Sequence, residues 1–148
     1  MDKAKLDFDS LEFNQAYNYI GELGAFWQPQ KTTFRVWAPT ATSLKIKLEN
    51  KDNIKIFPLE KSDNGTWFLE VKGDLSGIGY NYLVTHGKNE YEVVDPYAKA
   101  LTINGEMGVV IDLEKTNPPN WLETPIPNLN SFNDAIIYEL HVRDFSIA

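Results

Sequence analysis

Glu139, His141, Arg143 and Asp144 bring two carboxylates, an imidazole and a guanidinium into one short segment near the C-terminal end of the chain. Such groups hold or move protons when a fold aims them at one point. On a single strand they do not make a site alone: Glu139 and His141 are expected to be held by polar neighbours inside a larger assembly, and Asp144 to pair with Arg143. Trp37 and Trp67 are the other residues with chemical reach. Indoles on strands usually fill a core or an interdomain contact, although an exposed face can stack on the apolar face of a sugar ring. Core or interface is the expectation for both. Metal chemistry has little support, because the chain has no cysteine and its two histidines, His86 and His141, lie far apart. No Asp-rich loop has calcium-ligand spacing, no Gly-rich loop cradles phosphate, and there is no nucleophile elbow. The expectation is no metal and no cofactor.

The elements that must position these residues read as short strands. Between Leu23 and Leu113, alternating segments separated by turn residues predict an all-β, immunoglobulin-like sandwich. Phe34, Val36 and Ala38 share one face, and Leu44, Ile46 and Leu48 alternate with Lys45, Lys47 and Glu49. Trp67, Leu69 and Val71 alternate with Phe68, Glu70 and Lys72, and Tyr80, Tyr82 and Val84 with Asn81, Leu83 and Thr85. Val109, Ile111 and Leu113 alternate with Val110 and Asp112. Ser62-Asp63-Asn64-Gly65 predicts a tight antiparallel hairpin between a strand ending near Pro58 and one beginning at Thr66, since Asn-Gly supplies positive φ angles. His86-Gly87-Lys88-Asn89 predicts a second hairpin tip. Asp95 and Pro96 suit the N-cap and first position of one helical turn. Residues 1–22 read as an irregular or short helical lead-in.

Beyond the sandwich (residues 23–116) the character changes. Four of the eight prolines fall between Pro118 and Pro127, so residues 117–133 predict a semi-rigid linker. Ala135 to Leu140 is apolar except for Glu139, the pattern of a strand covered on both faces in a parallel sheet. Parallel neighbours and crossover helices need many more residues, so residues 134–148 are expected to begin a domain that a longer protein completes. An unpartnered strand there is expected to pack back on the sandwich, to pair with a second copy through its edge, or to be disordered.

Bulk composition narrows the partners. A hydrophobic share of 43% with 13% aromatics predicts a folded chain, and 148 residues suit one domain. A net charge of -7 with dispersed Lys and Arg argues against nucleic acid. No apolar h-region follows the lysines at the start and no run has membrane length, so neither a signal peptide nor a membrane partner is expected. A cytoplasmic home is the expectation, with a secreted or surface form left open should the N-terminus be trimmed.

A resemblance adds to this reading. Leu23-Gly24-Ala25-Phe26, then Thr32-Thr33-Phe34-Arg35-Val36-Trp37-Ala38-Pro39, Gly65-Thr66-Trp67, Gly79-Tyr80-Asn81-Tyr82 and Asp95-Pro96-Tyr97-Ala98-Lys99-Ala100 follow one another in this chain. Their order resembles the N-terminal immunoglobulin-like domain of type I pullulanases, debranching members of the α-amylase superfamily (glycoside hydrolase family 13). That domain is classed with family 48 carbohydrate-binding modules. Tyr138, Glu139, His141, Arg143, Asp144 and Phe145 are similar to the entry strand of the pullulanase (β/α)8 barrel. The resemblance implies a non-catalytic piece of an enzyme that hydrolyses α-1,6-glucosidic linkages in pullulan, glycogen or starch-derived dextrins. Its two catalytic carboxyl groups would sit on later barrel strands, so the expected catalytic residues in this chain are none. Glycan-binding members of family 48 carry a tryptophan in the loop occupied here by Glu49 to Asn53, a lysine at the position of Asn81, and a tryptophan near Tyr91. Asn81 and Tyr91 are therefore the candidate glycan contacts, and weak binding to branched α-glucan is the expectation. Asp95, Pro96 and Tyr97, with Trp37 and Trp67, are expected in core or interdomain contacts, the main partner being the catalytic barrel. The alternative is a free-standing α-glucan-binding or regulatory module.

Overall fold

A computed structural model describes residues 7–147 other than Asp52 and Pro127, and the chain divides into two units, residues 1–115 and 116–148. In the first unit, helix α1 (Leu11–Tyr17) precedes β1 (Gly24–Gln28), β2 (Lys31–Trp37), β3 (Ser43–Asn50), β4 (Asn53–Pro58), β5 (Glu60–Lys61), β6 (Thr66–Lys72), β7 (Gly79–His86), β8 (Asn89–Val93) and β9 (Gly108–Val109). One sheet runs in the order β1-β2-β6-β5, the other β4-β3-β7-β8 with β9 added against the start of β7. Every pairing is antiparallel. The expected all-β sandwich is the fold.

Period-two alternation builds the core. Phe34 and Val36 from β2, Leu44, Ile46 and Leu48 from β3, Trp67 from β6 and Tyr80 and Tyr82 from β7 are all buried between the sheets. Each such side chain contributes about 1.5 to 3 kcal/mol by leaving water. The Asp63–Gly65 turn carries positive φ at Asn64 and Gly65, as the hairpin required. Its partner strand differs from expectation. β4 pairs with β3 in the other sheet, and the chain crosses through buried Leu59 so that the two-residue β5 lies against β6. The second hairpin forms as read, His86 facing Asn89 across Gly87 and Lys88.

Three further expectations are corrected. Val110, not Val109, Ile111 or Leu113, enters the core: β9 is only two residues long, and Val110 then exchanges backbone bonds with Gly77 and Ile78. Asp95 opens a β-turn, closed by Ala98 N–H to its carbonyl at 3.1 Å, rather than a helical turn. The chain cannot continue as helix because Ala100 accepts from Val109 and Leu101 bridges Gly108 in extended pairing. The predicted strand Ala135–Leu140 is not formed either. The second unit holds 3-10 turns at Trp121–Glu123 and Phe132–Asp134 and helix α2 (Val142–Ser146), and Ile136 is 97% exposed. A strand pays for its backbone groups through a neighbour, and no residue of this unit supplies one among the described residues.

The lead-in packs on the sandwich. Ser10 caps α1 by accepting from Phe13 N–H at 3.1 Å, burying Phe13. Trp37 Nε1 donates to the Tyr17 carbonyl at 2.8 Å, and Asn64 Nδ2 to the Asn18 carbonyl at 2.7 Å.

Candidate functional site

Two surfaces carry the chemistry of the first unit. On the outer face of the β4-β3-β7-β8 sheet, register brings Lys47 opposite Asn81, Lys45 opposite Leu83, and Leu83 opposite Glu92. Lys45 pairs with Glu90 at 2.7 Å, and Lys47 with Glu92 at 3.0 Å and Glu49 at 3.1 Å. Hydrogen bonds from Asn81 and Lys47 hold the Glu92 carboxyl below its usual range, and the bonds to Glu92 and Glu49 push the Lys47 ammonium up. Asn81 itself is buried. Its Nδ2 donates to Glu92 at 3.0 Å and to the Glu106 carbonyl at 3.1 Å, and its Oδ1 has no partner among the described residues. Ile54 and Ile56 stand half-exposed beside this ladder on β4.

Tyr91, the other candidate glycan contact, is not brought to Asn81. It pairs with Val84, so it shares the inward parity of Tyr82 and Val84, while Asn81 faces out. It is 51% exposed, and its hydroxyl accepts from Asn89 Nδ2 at 3.3 Å.

The second surface lies where α1 meets the β1-β2-β6-β5 sheet. Trp67 is a core residue as expected, with Nε1 donating to the Ala38 carbonyl at 2.9 Å. Trp37 is not in the core. It is 41% exposed, because odd positions of β2 face outward, and it packs edge-on against Phe13. Arg35 lies over the Phe68 ring at 4.9 Å and the Tyr19 ring at 5.5 Å and donates to Ser62 and Thr66. Around Trp37, the rings of Phe8, Tyr17 and Tyr97 line a pocket of about 380 Å³.

The Asp-Pro-Tyr triplet splits. Asp95 is buried, accepting from Tyr80 O–H at 2.9 Å and Tyr97 N–H at 2.9 Å, while Pro96 and the Tyr97 ring are exposed. Burial pushes the Asp95 carboxyl up, against the lowering effect of those bonds. Burial, and after it the same carboxylate, push the Tyr80 and Tyr82 phenols far above their usual range, yet Tyr82 O–H does not reach hydrogen-bond geometry. Tyr138, Glu139, His141, Arg143, Asp144 and Phe145 are all exposed in the second unit. His141 is the N-cap of α2, its Nδ1 accepting from Asp144 N–H at 3.4 Å, and the nearest basic group to the Asp144 carboxylate is this imidazole, not Arg143, among the described residues.

Sequence reasoning missed a cleft of about 600 Å³ along β1, lined by Phe26, Trp27, Lys99, Asp112 and Lys115. Its rings are already covered, Phe26 by Lys99 at 4.1 Å and Trp27 by Lys115 at 5.5 Å, with Trp27 Nε1 bound to Asp74 at 2.8 Å. The helix that walls the Trp37 pocket was readable: Ser10 precedes Phe13 and Tyr17 at i, i+4 spacing.

Residues 22–98, from just before β1 through the Asp95 turn, match carbohydrate-binding module 48 (isoamylase N-terminal domain). The chain belongs to this family. As a family 48 module it has both candidate contacts, Asn81 and Tyr91, inside the matched region, whereas α1 and the second unit lie outside it. Pullulanase of Bacillus subtilis (strain 168) is 39% identical over 136 residues, 91% of this chain and 18% of the relative. A solved pullulanase from Bacillus acidopullulyticus superposes with a TM-score of 0.83 at 42% identity, over 90% of this chain and 17% of its own. Pullulanase from Paenibacillus barengoltzii, solved with maltohexaose and α-cyclodextrin, gives a TM-score of 0.86 at 43% identity, over 97% and 23%. This family 48 chain thus spans less than a quarter of each of these relatives.

Proposed function

We propose that the chain is the non-catalytic accessory domain of a pullulanase-type enzyme that hydrolyses α-1,6-glucosidic linkages in pullulan, glycogen or starch-derived dextrins. The observation that carries this reading is the reach of the pullulanase likeness. It extends over 90 to 97% of the chain in the solved relatives, past the family 48 match at residue 98 and into the second unit. The chemistry of the first unit agrees with an accessory role: Glu49, Glu90 and Glu92 are engaged by lysines, and Asp95 is enclosed. The principal partner in this reading is the catalytic barrel, with α-glucan as a weaker one.

Two measurements test it. The purified 148-residue chain should release no reducing ends from pullulan, and hydrolysis by it would overturn the accessory role. Reading the coding DNA past the codon for Ala148 should show an open frame carrying an Asp nucleophile and a Glu acid/base on further barrel strands. A stop codon there would favour the free-standing module instead.

A further inference from the structure

We propose that α1 and Trp37 form a subsite for one glucosyl unit of an α-glucan, separate from the outer face that holds Asn81. The pocket lies in residues 8–23 with Trp37 and Tyr97, so its wall on the α1 side stands outside the matched family region. Its volume of about 380 Å³ falls in the roughly 300 to 1,000 Å³ range of small-ligand pockets.

The lining selects a neutral ligand with both apolar and hydrogen-bonding surfaces. Among the described residues no charged side chain lines it, in a chain in which 24% of residues are charged and whose larger cleft presents Lys99, Asp112, Glu114 and Lys115. The aromatic rings are held in fixed mutual positions. Phe8 meets Phe13 edge-on at 5.2 Å, Phe13 meets Tyr17 at 4.8 Å, and Trp37 stands at 89° to Phe13. The bond from Trp37 Nε1 to the Tyr17 carbonyl locks the indole while leaving much of it open. Fixed rings keep the ordering cost of binding low.

Asn14 and Asn18 supply the polar part. Asn14 in α1 and Asn18, its C-cap, both line the pocket, and neither side-chain amide has a hydrogen-bond partner among the described residues. A carboxamide donates and accepts, as a sugar hydroxyl does, and a pyranose ring offers a C–H face to the aromatics. A neutral sugar ring meets all these conditions. The choice of α-linked glucose among sugars rests on the proposed function above.

The test is a nuclear magnetic resonance titration of the whole 148-residue chain with maltotriose. Saturable shifts are expected for the Trp37 indole N–H and the Asn14 and Asn18 side-chain amides, while the buried Trp67 indole stays still. Asn14→Ala should weaken binding about three- to tenfold, the loss of one hydrogen bond, without lowering the melting temperature, because alanine suits the exposed helix position. Phe8→Ala gives a second reading through lost ring contact. Shifts confined to Asn81 and its sheet neighbours would overturn the subsite and leave an α-glucan role standing. Shifts nowhere, or unchanged affinity in both variants, would also overturn it, whereas the accessory-domain reading is judged independently by the coding frame.

Discussion

Asp95 sits 2% exposed between Tyr80 O–H and Tyr97 N–H, where it ties β7 to the turn that follows β8. Asp95→Ala leaves the buried Tyr80 O–H and the part-buried Tyr97 N–H without their acceptor and should lower stability by about 2 kcal/mol in denaturant unfolding. Asp95→Asn keeps Oδ1 for Tyr97 N–H, presents an amide donor to the Tyr80 hydroxyl, which can accept from it, and removes the charge, so it is a reference that does not titrate. Burial raises the Asp95 pKa in the fold. A carboxyl with a raised folded pKa contributes stability that is complete below the unfolded value and lost as pH climbs through the folded one. Wild type should therefore lose ground to Asp95→Asn as the pH rises from about 4 toward neutrality. Melting curves across that range check it, and a constant difference between the two proteins would refute the assignment. Glu92 runs in the opposite sense: bonds from Asn81 and Lys47 lower its pKa, so its contribution is present at neutral pH and lost on acidification.

At the scale of elements, the hairpin before β6 does two jobs. Gly65 has φ +76°, and a Cβ there would lie 2.6 Å from Pro39 Cβ and 2.8 Å from Tyr17 Cδ1. Gly87, at the tip between β7 and β8, has φ +63° with open space around it. Gly87→Ala should thus cost only the backbone term, about 1 kcal/mol. Gly65→Ala adds the collisions with Pro39 and with Tyr17 of α1 and should cost at least about 2 kcal/mol, with faster amide hydrogen exchange across Leu11–Tyr17. Equal effects of the two substitutions would mean that α1 is not seated against this turn. The same seating explains why the lead-in behaves as part of the sandwich: Trp37, Asn64 and Arg35 each reach a lead-in residue.

For the whole molecule, the division after Lys115 predicts that the first unit folds alone. Removing residues 116–148 should leave the melting temperature within about 2 °C and raise solubility, since Ile136, Ile137 and Tyr138 are exposed in the second unit. A large drop in calorimetry would show that the tail stabilises the sandwich. Much of this architecture was legible beforehand. Alternation in β2, β3, β6 and β7 named Phe34, Leu44, Ile46, Trp67, Tyr80 and Tyr82 as core, because successive side chains on any strand point to opposite faces whatever lies beside them. Asn64-Gly65 marked its turn because positive φ is a local steric property. Other features depend on neighbours that no local pattern names. The sheet to which β4 belongs, the half-exposure of Trp37 and the opposite faces of Asn81 and Tyr91 follow from strand pairing across the sandwich. Ala135–Leu140 has the composition of a buried strand and forms none in its unit, since a strand exists only when another strand accepts its hydrogen bonds. Sequence by itself determined which residues face a core; tertiary pairing alone decided which surfaces remain open, because exposure belongs to the contacts between elements and not to any one of them.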